Sequence, residues 1–245
     1  MIAARVPDWK IEWYLTLDST QLEALRLAAQ GAPHRTVILA QEQTAGMGRL
    51  GRAWHSEQGA GLYLSCILRL NLPAGQLPAF TVALGLAVKK AIEQVTAVGC
   101  DLRWPNDVLI GERKVSGILT QFADEAIIAG IGINLSHTEF PPEIAATATS
   151  LRLEGAGTFS REDLFIALLD AVNHYAERYT LGDRESILFE FAEQSSYAVG
   201  RPVIVEQEGR TIKGHTDGLD ENGFLYVRQH DGTRVTILAG GVRPA

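Results

Sequence analysis

Gln43-Thr44-Ala45-Gly46-Met47-Gly48-Arg49-Leu50-Gly51-Arg52-Ala53-Trp54, followed a few residues later by Leu62-Tyr63-Leu64-Ser65-Cys66-Ile67-Leu68-Arg69-Leu70, is the stretch that separates the competing folds. Glycines at 46, 48 and 51 let the backbone turn tightly and bring successive N–H groups close to a bound anion, while Arg49 and Arg52 add fixed positive charge. Those are the parts of a phosphate clamp. A plain surface loop has the same composition, so the flanking sequence decides. The three glycines spell G-x-G-x-x-G, but a dinucleotide fold needs a helix directly afterwards and an acidic residue about 20 positions on. Instead, Tyr63, Ser65, Ile67 and Arg69 alternate with Leu62, Leu64, Cys66, Leu68 and Leu70, which is strand periodicity. Arg52-Ala53 stands where a Walker A loop requires Lys and Ser/Thr, and no H-R-D or D-F-G segment follows.

Upstream, Glu12 to Asp18 and Thr36 to Gln41 read as strands, the second feeding the glycine loop. Between them Thr20 and Glu23 have capping-box spacing, and Leu22, Leu25 and Ala29 recur on one helical face until Gly31 and Pro33 stop the helix. Ser19 and Thr20 read as that helix cap, and hydroxyls with free N–H groups at a helix start also suit a polar ligand.

Downstream, Pro78 to Val98 predicts a long buried helix. Asp101 to Ile110 and Lys114 to Gln121 read as two antiparallel strands around Gly111-Glu112-Arg113, with a third strand at Ala126 to Asn134. Strict alternation puts Lys114, Ser116 and Ile118 on one face, opposite Val115, Gly117 and Leu119. Glycine weakens a strand unless something approaches its backbone closely, so Gly117, Gly130 and Gly132 predict a meander that floors a ligand pocket. Taken singly, Lys114 reads as a solvated turn residue, and Asn106 and Asp107 as turn formers after Pro105. Ser160 caps an amphipathic helix carrying Leu164, Leu168, Val172, Tyr175 and Tyr179, and a shorter helix runs from about Ser186 to Gln194. From Arg201 onward short strands at 202–206, 210–216, 224–228 and 234–238 alternate with Asn222-Gly223 and Asp231-Gly232 turns, the texture of a small β-barrel.

A net charge of −7 over 245 residues argues against nucleic-acid binding, because the positive charge is local rather than spread. Met1 to Lys10 lacks a signal-peptide core, and no run approaches the roughly 18 apolar residues of a membrane span, so a cytoplasmic protein with no membrane partner is expected. Cys66 and Cys100 lack metal-ligand spacing and read as reduced, packed thiols.

The combination of segments resembles the biotin protein ligases (biotin–acetyl-CoA-carboxylase ligases) from about Leu15 to the C-terminus. Their G-R-G-R-x-G-R-x-W loop is Gly46 to Trp54 here, K-W-P-N-D is Arg103-Trp104-Pro105-Asn106-Asp107, and K-x-x-G-I-L is Lys114 to Leu119. Gly130-Ile131-Gly132-Ile133-Asn134 and Ala148-Thr149-Ser150-Leu151 match two further elements. The resemblance implies an α/β (α+β) fold: a mixed, largely antiparallel sheet flanked by helices, related to class II synthetase and lipoyl ligase cores, with an SH3-like C-terminal barrel. The catalytic domain is expected over residues 1–197 and the barrel over 198–245. Nothing before Leu15 has room for the winged helix-turn-helix of the repressor members. Two departures stand out: the family's D-S-T-N is Asp18-Ser19-Thr20-Gln21, and its first loop arginine is Met47.

What the resemblance implies chemically is ATP-dependent activation of biotin to biotinyl-5′-AMP, followed by transfer to a lysine of a biotin carboxyl carrier protein or domain. Ser19, Thr20, Gln21, Gln43, Met47, Gly48, Arg49, Lys114, Gly117 and Gly132 would contact biotin. Gly46, Arg49, Arg52, Trp54, Asn106 and Asn134 would meet the adenylate, with Mg²⁺ carried by the nucleotide phosphates. Lys114, Arg49 and Asp107 are the expected catalytic residues, and the glycine loop is expected to order over the intermediate. A lipoyl or octanoyl ligase on the same scaffold and a non-catalytic biotin or nucleotide sensor are the rival readings; a homodimer through the sheet edges is left open.

Overall fold

The computed structural model describes residues 4–123, 125–207 and 209–245; Met1, Ile2 and Ala3 of the segment searched for a signal core lie outside them. A seven-stranded sheet runs in the order β1 (Lys10–Leu17), β2 (Thr36–Gln43), β3 (Gly61–Leu68), β7 (Ala126–Asn134), β6 (Arg113–Ala123), β5 (Asp107–Ile110), β4 (Asp101–Arg103). Only the β1–β2 pair is parallel. The sheet is therefore mixed and largely antiparallel, as expected.

The alternation read in β3 explains the layering. Leu62, Leu64, Cys66 and Leu68 join the large core that contains α2 (Leu77–Thr96) and, beyond the four-residue α3 (Pro142–Ala145), α4 (Arg161–Thr180). Ile67 packs on the other side with Ala24 and Ala28 of α1 (Thr20–Ala29), so β3 is buried on both faces. The last helix, α5 (Arg184–Gln194), precedes a five-stranded antiparallel sheet. Its strands are β8 (Val199–Gln207), β9 (Arg210–Leu219), β10 (Leu225–Arg228), β11 (Arg234–Ile237) and β12 (Val242–Pro244), with β11 and β12 at its two edges. The Trp104 indole N–H donates to Gly223 O at 2.8 Å, tying the second sheet to the first unit.

Three local readings are corrected. The cap of α1 is Ser19, whose Oγ accepts from Gln21 N at 3.2 Å, and Thr20 is already helical, so its hydroxyl is free for other work. Asp101 to Ile110 is not one strand: Trp104-Pro105-Asn106 breaks it into β4 and β5, with a cis bond before Pro105. Most consequential, Val108 pairs with Ser116 but Leu109 pairs with Lys114, so Val115 is an extra residue bulged out of register. The bulge reverses the alternation, and Lys114 and Gly117 share a face.

Candidate functional site

The glycine loop is a closed miniature hairpin. Met47 bridges Ala53, Gly48 N donates to Arg52 O at 2.7 Å, and Trp54 N donates to Gly46 O at 2.8 Å. Leu50 and Gly51 turn the chain at φ +57° and +73°, a conformation that costs little only at the glycine. Gly46 is needed for packing: a Cβ there would lie 2.6 Å from Trp54 O. It lines neither pocket described below, in contrast to the adenylate contact expected of it.

Beneath it lies a polar pocket with a free volume of about 50 Å³. Its floor comes from the start of α1. Gln43 Oε1 accepts from Thr20 N at 2.8 Å and Thr20 Oγ1 at 3.1 Å, and Thr20 Oγ1 meets Ser65 Oγ at 2.9 Å. Ser65 Oγ donates to Gln21 Oε1 at 3.1 Å, and the Gln21 amide donates to Gln121 at 2.8 Å. Gln21 lies flat on β7 because Gly130 offers no Cβ; one there would stand 2.5 Å from Gln21 Oε1. Ser19, Thr20, Gln21 and Gln43 therefore come together, joined by Met47, Gly48 and Arg49 from the loop and Lys114, Gly117 and Gly132 from the strands. No carboxylate is among the lining residues.

The far end of the pocket is cationic. Asp107 links Lys114 Nζ at 2.6 Å to Arg103 Nη2 at 2.8 Å. Burial pushes the Asp107 carboxyl up, but the two cations and their hydrogen bonds outweigh it and hold the group below its ordinary range. An anchored, ionised carboxylate of this kind positions Lys114 better than it takes a proton. Lys114 is fixed through its backbone as well, since its N donates to Thr147 O at 2.7 Å and its O accepts from Thr149 N at 2.9 Å. That pairing accounts for the Ala148-Thr149-Ser150-Leu151 motif. Arg49 Nη1 donates to Asn106 Oδ1 at 3.1 Å and Gly240 O at 3.4 Å. Burial lowers its pKa, Asp107 offsets only part of that, and Arg52 adds to the lowering.

A second, larger cavity of about 240 Å³ opens on the other side of Arg49 and Lys114. Arg49, Arg52, Trp54, Asn106 and Asn134 line it, with Asp107 as its one carboxylate. Asn106 is less free than expected, because its amide also donates to Ile118 O at 2.8 Å. Trp54 stands between the two cavities. Its indole packs on Gly132 and Gly117, where a Cβ would approach it to 2.4 and 2.9 Å, and Lys114 Nζ lies 5.2 Å from the ring centroid. Trp54 Nε1 is buried with no partner among the described residues, a donor that a ligand acceptor would satisfy.

Some lining residues escaped the sequence reading. Ser65 carried a signal, a hydroxyl within a strand buried on both faces, which must find a partner. Phe140, Ile144, Gly240 and Gly241 of the larger cavity carried none, because the chain reaches that wall only through tertiary structure.

A mixed sheet with a glycine-arginine hairpin, an uncharged polar pocket and a cationic junction to a second cavity defines a class of enzyme that joins an anionic small molecule to a nucleotide. The profile of the Biotin/lipoate A/B protein ligase family matches residues 14–137, and that of the Biotin protein ligase C terminal domain matches 198–242. The chain is 35% identical to the bifunctional ligase/repressor BirA of Bacillus subtilis over 231 residues, covering 89% of this chain and 69% of that one. It is 31% identical over 230 residues to the biotin–[acetyl-CoA-carboxylase] ligase of Mycobacterium tuberculosis, covering 91% and 85%. The structure of the biotin protein ligase from Aquifex aeolicus in complex with biotin and ATP superposes with a TM-score of 0.84 at 31% identity, covering 96% of this chain and 99% of that one. The chain belongs to the biotin/lipoate A/B protein ligase family.

Proposed function

We propose that this chain is a biotin–protein ligase, which activates biotin with ATP and passes it to a lysine of a biotin carboxyl-carrier domain. The observation that carries this reading is the junction of the two cavities at Arg49 and Lys114. The uncharged floor of Ser19, Thr20, Gln21 and Gln43 suits a neutral ureido ring, whose N–H and C=O groups find partners of both kinds there. A carboxylate at the other end of that ligand reaches the cations.

Activation forms a bond between a biotin carboxylate oxygen and the α-phosphorus of ATP, and breaks the α–β phosphoanhydride to release diphosphate. Transfer forms a C–N bond to the acceptor lysine, which loses a proton, and breaks the acyl–phosphate bond to release AMP. Both steps gather negative charge, so preorganised cations and amides at fixed positions supply the stabilisation. Lys114, held by Asp107, and Arg49, held by Asn106 and Gly240, take that role; Arg52 and loop N–H groups assist. Ligand entry moves the Trp54 indole off Gly117 and Gly132 and onto the adenine. Magnesium has no protein cage: Asp107 is the only carboxylate among the lining residues of either cavity and is already paired, so the ion arrives on the triphosphate.

We take residues 1–197 as the catalytic unit and 198–245 as the SH3-like one. The acidic balance supports a chain that does not engage nucleic acid, and two free cysteines support a cytoplasmic setting. Among the described residues no helix is long and apolar enough to cross a membrane. Trp13 and Leu15, each 55% exposed on edge strand β1, offer the edge for a homodimer, which sedimentation would detect.

ATP–diphosphate exchange with biotin or lipoate, followed by label transfer to a purified carrier domain, tests the reading. Biotin-dependent exchange and transfer are expected. Lipoate-dependent exchange would move the assignment to a lipoyl ligase, and biotin binding without exchange to a sensor.

A further inference from the structure

The segment leaving the glycine hairpin carries His55 and Glu57, and the turn leaving β7 carries His137. One ligating atom from each lies within 4.8 Å of the other two. His137 is buried and its ring is fixed: Phe140 stacks on it with centroids 5.1 Å apart, and Tyr63 Oη lies 3.3 Å from Nε2. The Tyr63 hydroxyl has a single proton, which it donates to Glu57 O at 3.0 Å. It must therefore accept from His137, which puts the ring proton on Nε2 and leaves the Nδ1 lone pair bare. Nδ1 is buried and has no hydrogen-bond partner among the described residues. A ring oriented through one nitrogen, with the other bare, is how proteins present a metal-ligating imidazole.

We propose that His55, Glu57 and His137 form a binding site for a divalent transition metal of the zinc type, separate from any magnesium that the nucleotide carries. Two imidazoles and a carboxylate make a donor set for zinc and its neighbours rather than for oxygen-seeking magnesium or calcium, and exposed Glu57 leaves the fourth position to water. Metal–ligand bonds of about 2.0–2.2 Å require the donors to draw together by roughly an ångström. Glu57 on the surface and half-buried His55 have the freedom to do so, while His137 is the fixed point. The bound ion ties the exit of the glycine hairpin to the end of β7, bracing the wall of the larger cavity where His55 and Phe140 stand.

The test uses metal-free full chain without biotin or ATP, so its outcome is independent of the ligase assignment. Zinc is titrated against a chromophoric chelator, and cobalt(II) is followed by its visible absorption. His55→Ala and Glu57→Gln are the variants, both at accessible positions, with circular dichroism to check folding. One equivalent of metal, a tetrahedral cobalt spectrum, and an affinity loss of about tenfold or more in each variant are expected. Absence of stoichiometric binding would overturn the proposal. So would binding that both variants leave intact, which would send the metal elsewhere, for instance to His215 and His230, whose rings are 6.0 Å apart.

Discussion

Lys114 and Gly117 look into the same pocket although three positions separate them on one strand, because the bulge at Val115 reverses the alternation between them. A Cβ at 117 would lie 2.8 Å from Lys114 Nζ and 2.9 Å from Trp54 Cζ3. Both obstacles are side chains that can shift, so Gly117→Ala should fold normally while disturbing the junction. Biotin affinity measured by calorimetry should fall about tenfold, on the order of 1.4 kcal/mol, with the melting temperature nearly unchanged. Unaltered binding would remove Gly117 from the site.

The pH behaviour of Asp107 follows from its partners. Burial raises its pKa, but Lys114 and Arg103 lower it by more, leaving the folded value below the unfolded one. Its stabilisation is therefore present above the unfolded value of about 3.9 and is lost as pH falls through the folded value. Urea midpoints of Asp107→Asn and the parent chain should differ by a steady margin from about pH 7 to 5 and converge below about pH 4. A margin that widens on acidification would contradict the assignment.

Met47 lines the polar pocket at the position where the G-R-G-R-x-G-R-x-W pattern that this loop resembles has its first arginine, and it is 38% exposed, so a longer side chain has room to turn inward. A charge-assisted hydrogen bond contributes about 1.5–3 kcal/mol, so Met47→Arg should tighten retention of biotinyl-5′-AMP by at least about tenfold. The dissociation rate of the adenylate is the measurement. No slowing would mean that Arg49, Arg52 and Lys114 already saturate the anion.

Trp54 reports on filling. Its indole rests on Gly117 and Gly132 beside Lys114, and on the proposed function ligand entry displaces it and alters its surroundings. Biotin with ATP should change the tryptophan emission of the parent chain, and Trp54→Phe should abolish most of that change. An equal response in the variant would place the signal at Trp104 or elsewhere.

Between the two sheets, Trp104 Nε1 donates to Gly223 O within a buried contact. Trp104→Phe leaves that carbonyl without its donor, which costs about 1–3 kcal/mol. Urea unfolding should show a loss of that size; an unchanged midpoint would mean that water replaces the indole.

The layering was legible in β3 because period-two alternation survives wherever a strand stays in register, and the strand after the glycines excluded a dinucleotide fold. Val115 hid the Lys114–Gly117 pairing, since a bulge in one strand is specified by what its neighbour Leu109 pairs with, not by local sequence. Thr20 and Ser19 are both good caps, and only the tertiary pull of Gln43 and Ser65 on the Thr20 hydroxyl decides between them. Asp101 to Ile110 looked continuous because Pro105 restricts its neighbours without saying which way the chain turns. The resemblance supplied what spacing could not: that residues from positions 19, 49, 106 and 132 converge.

The carbonyl of Gly240 is among the two acceptors that hold the Arg49 guanidinium, and Gly241 walls the same cavity. A shortened chain ending before β8 would keep every residue that lines the polar pocket yet lose Gly240 and Gly241 from the wall of the larger cavity. On the proposed function, capture of the two substrates would then come apart, and the small terminal sheet would be a working wall of the reaction vessel and not a passenger.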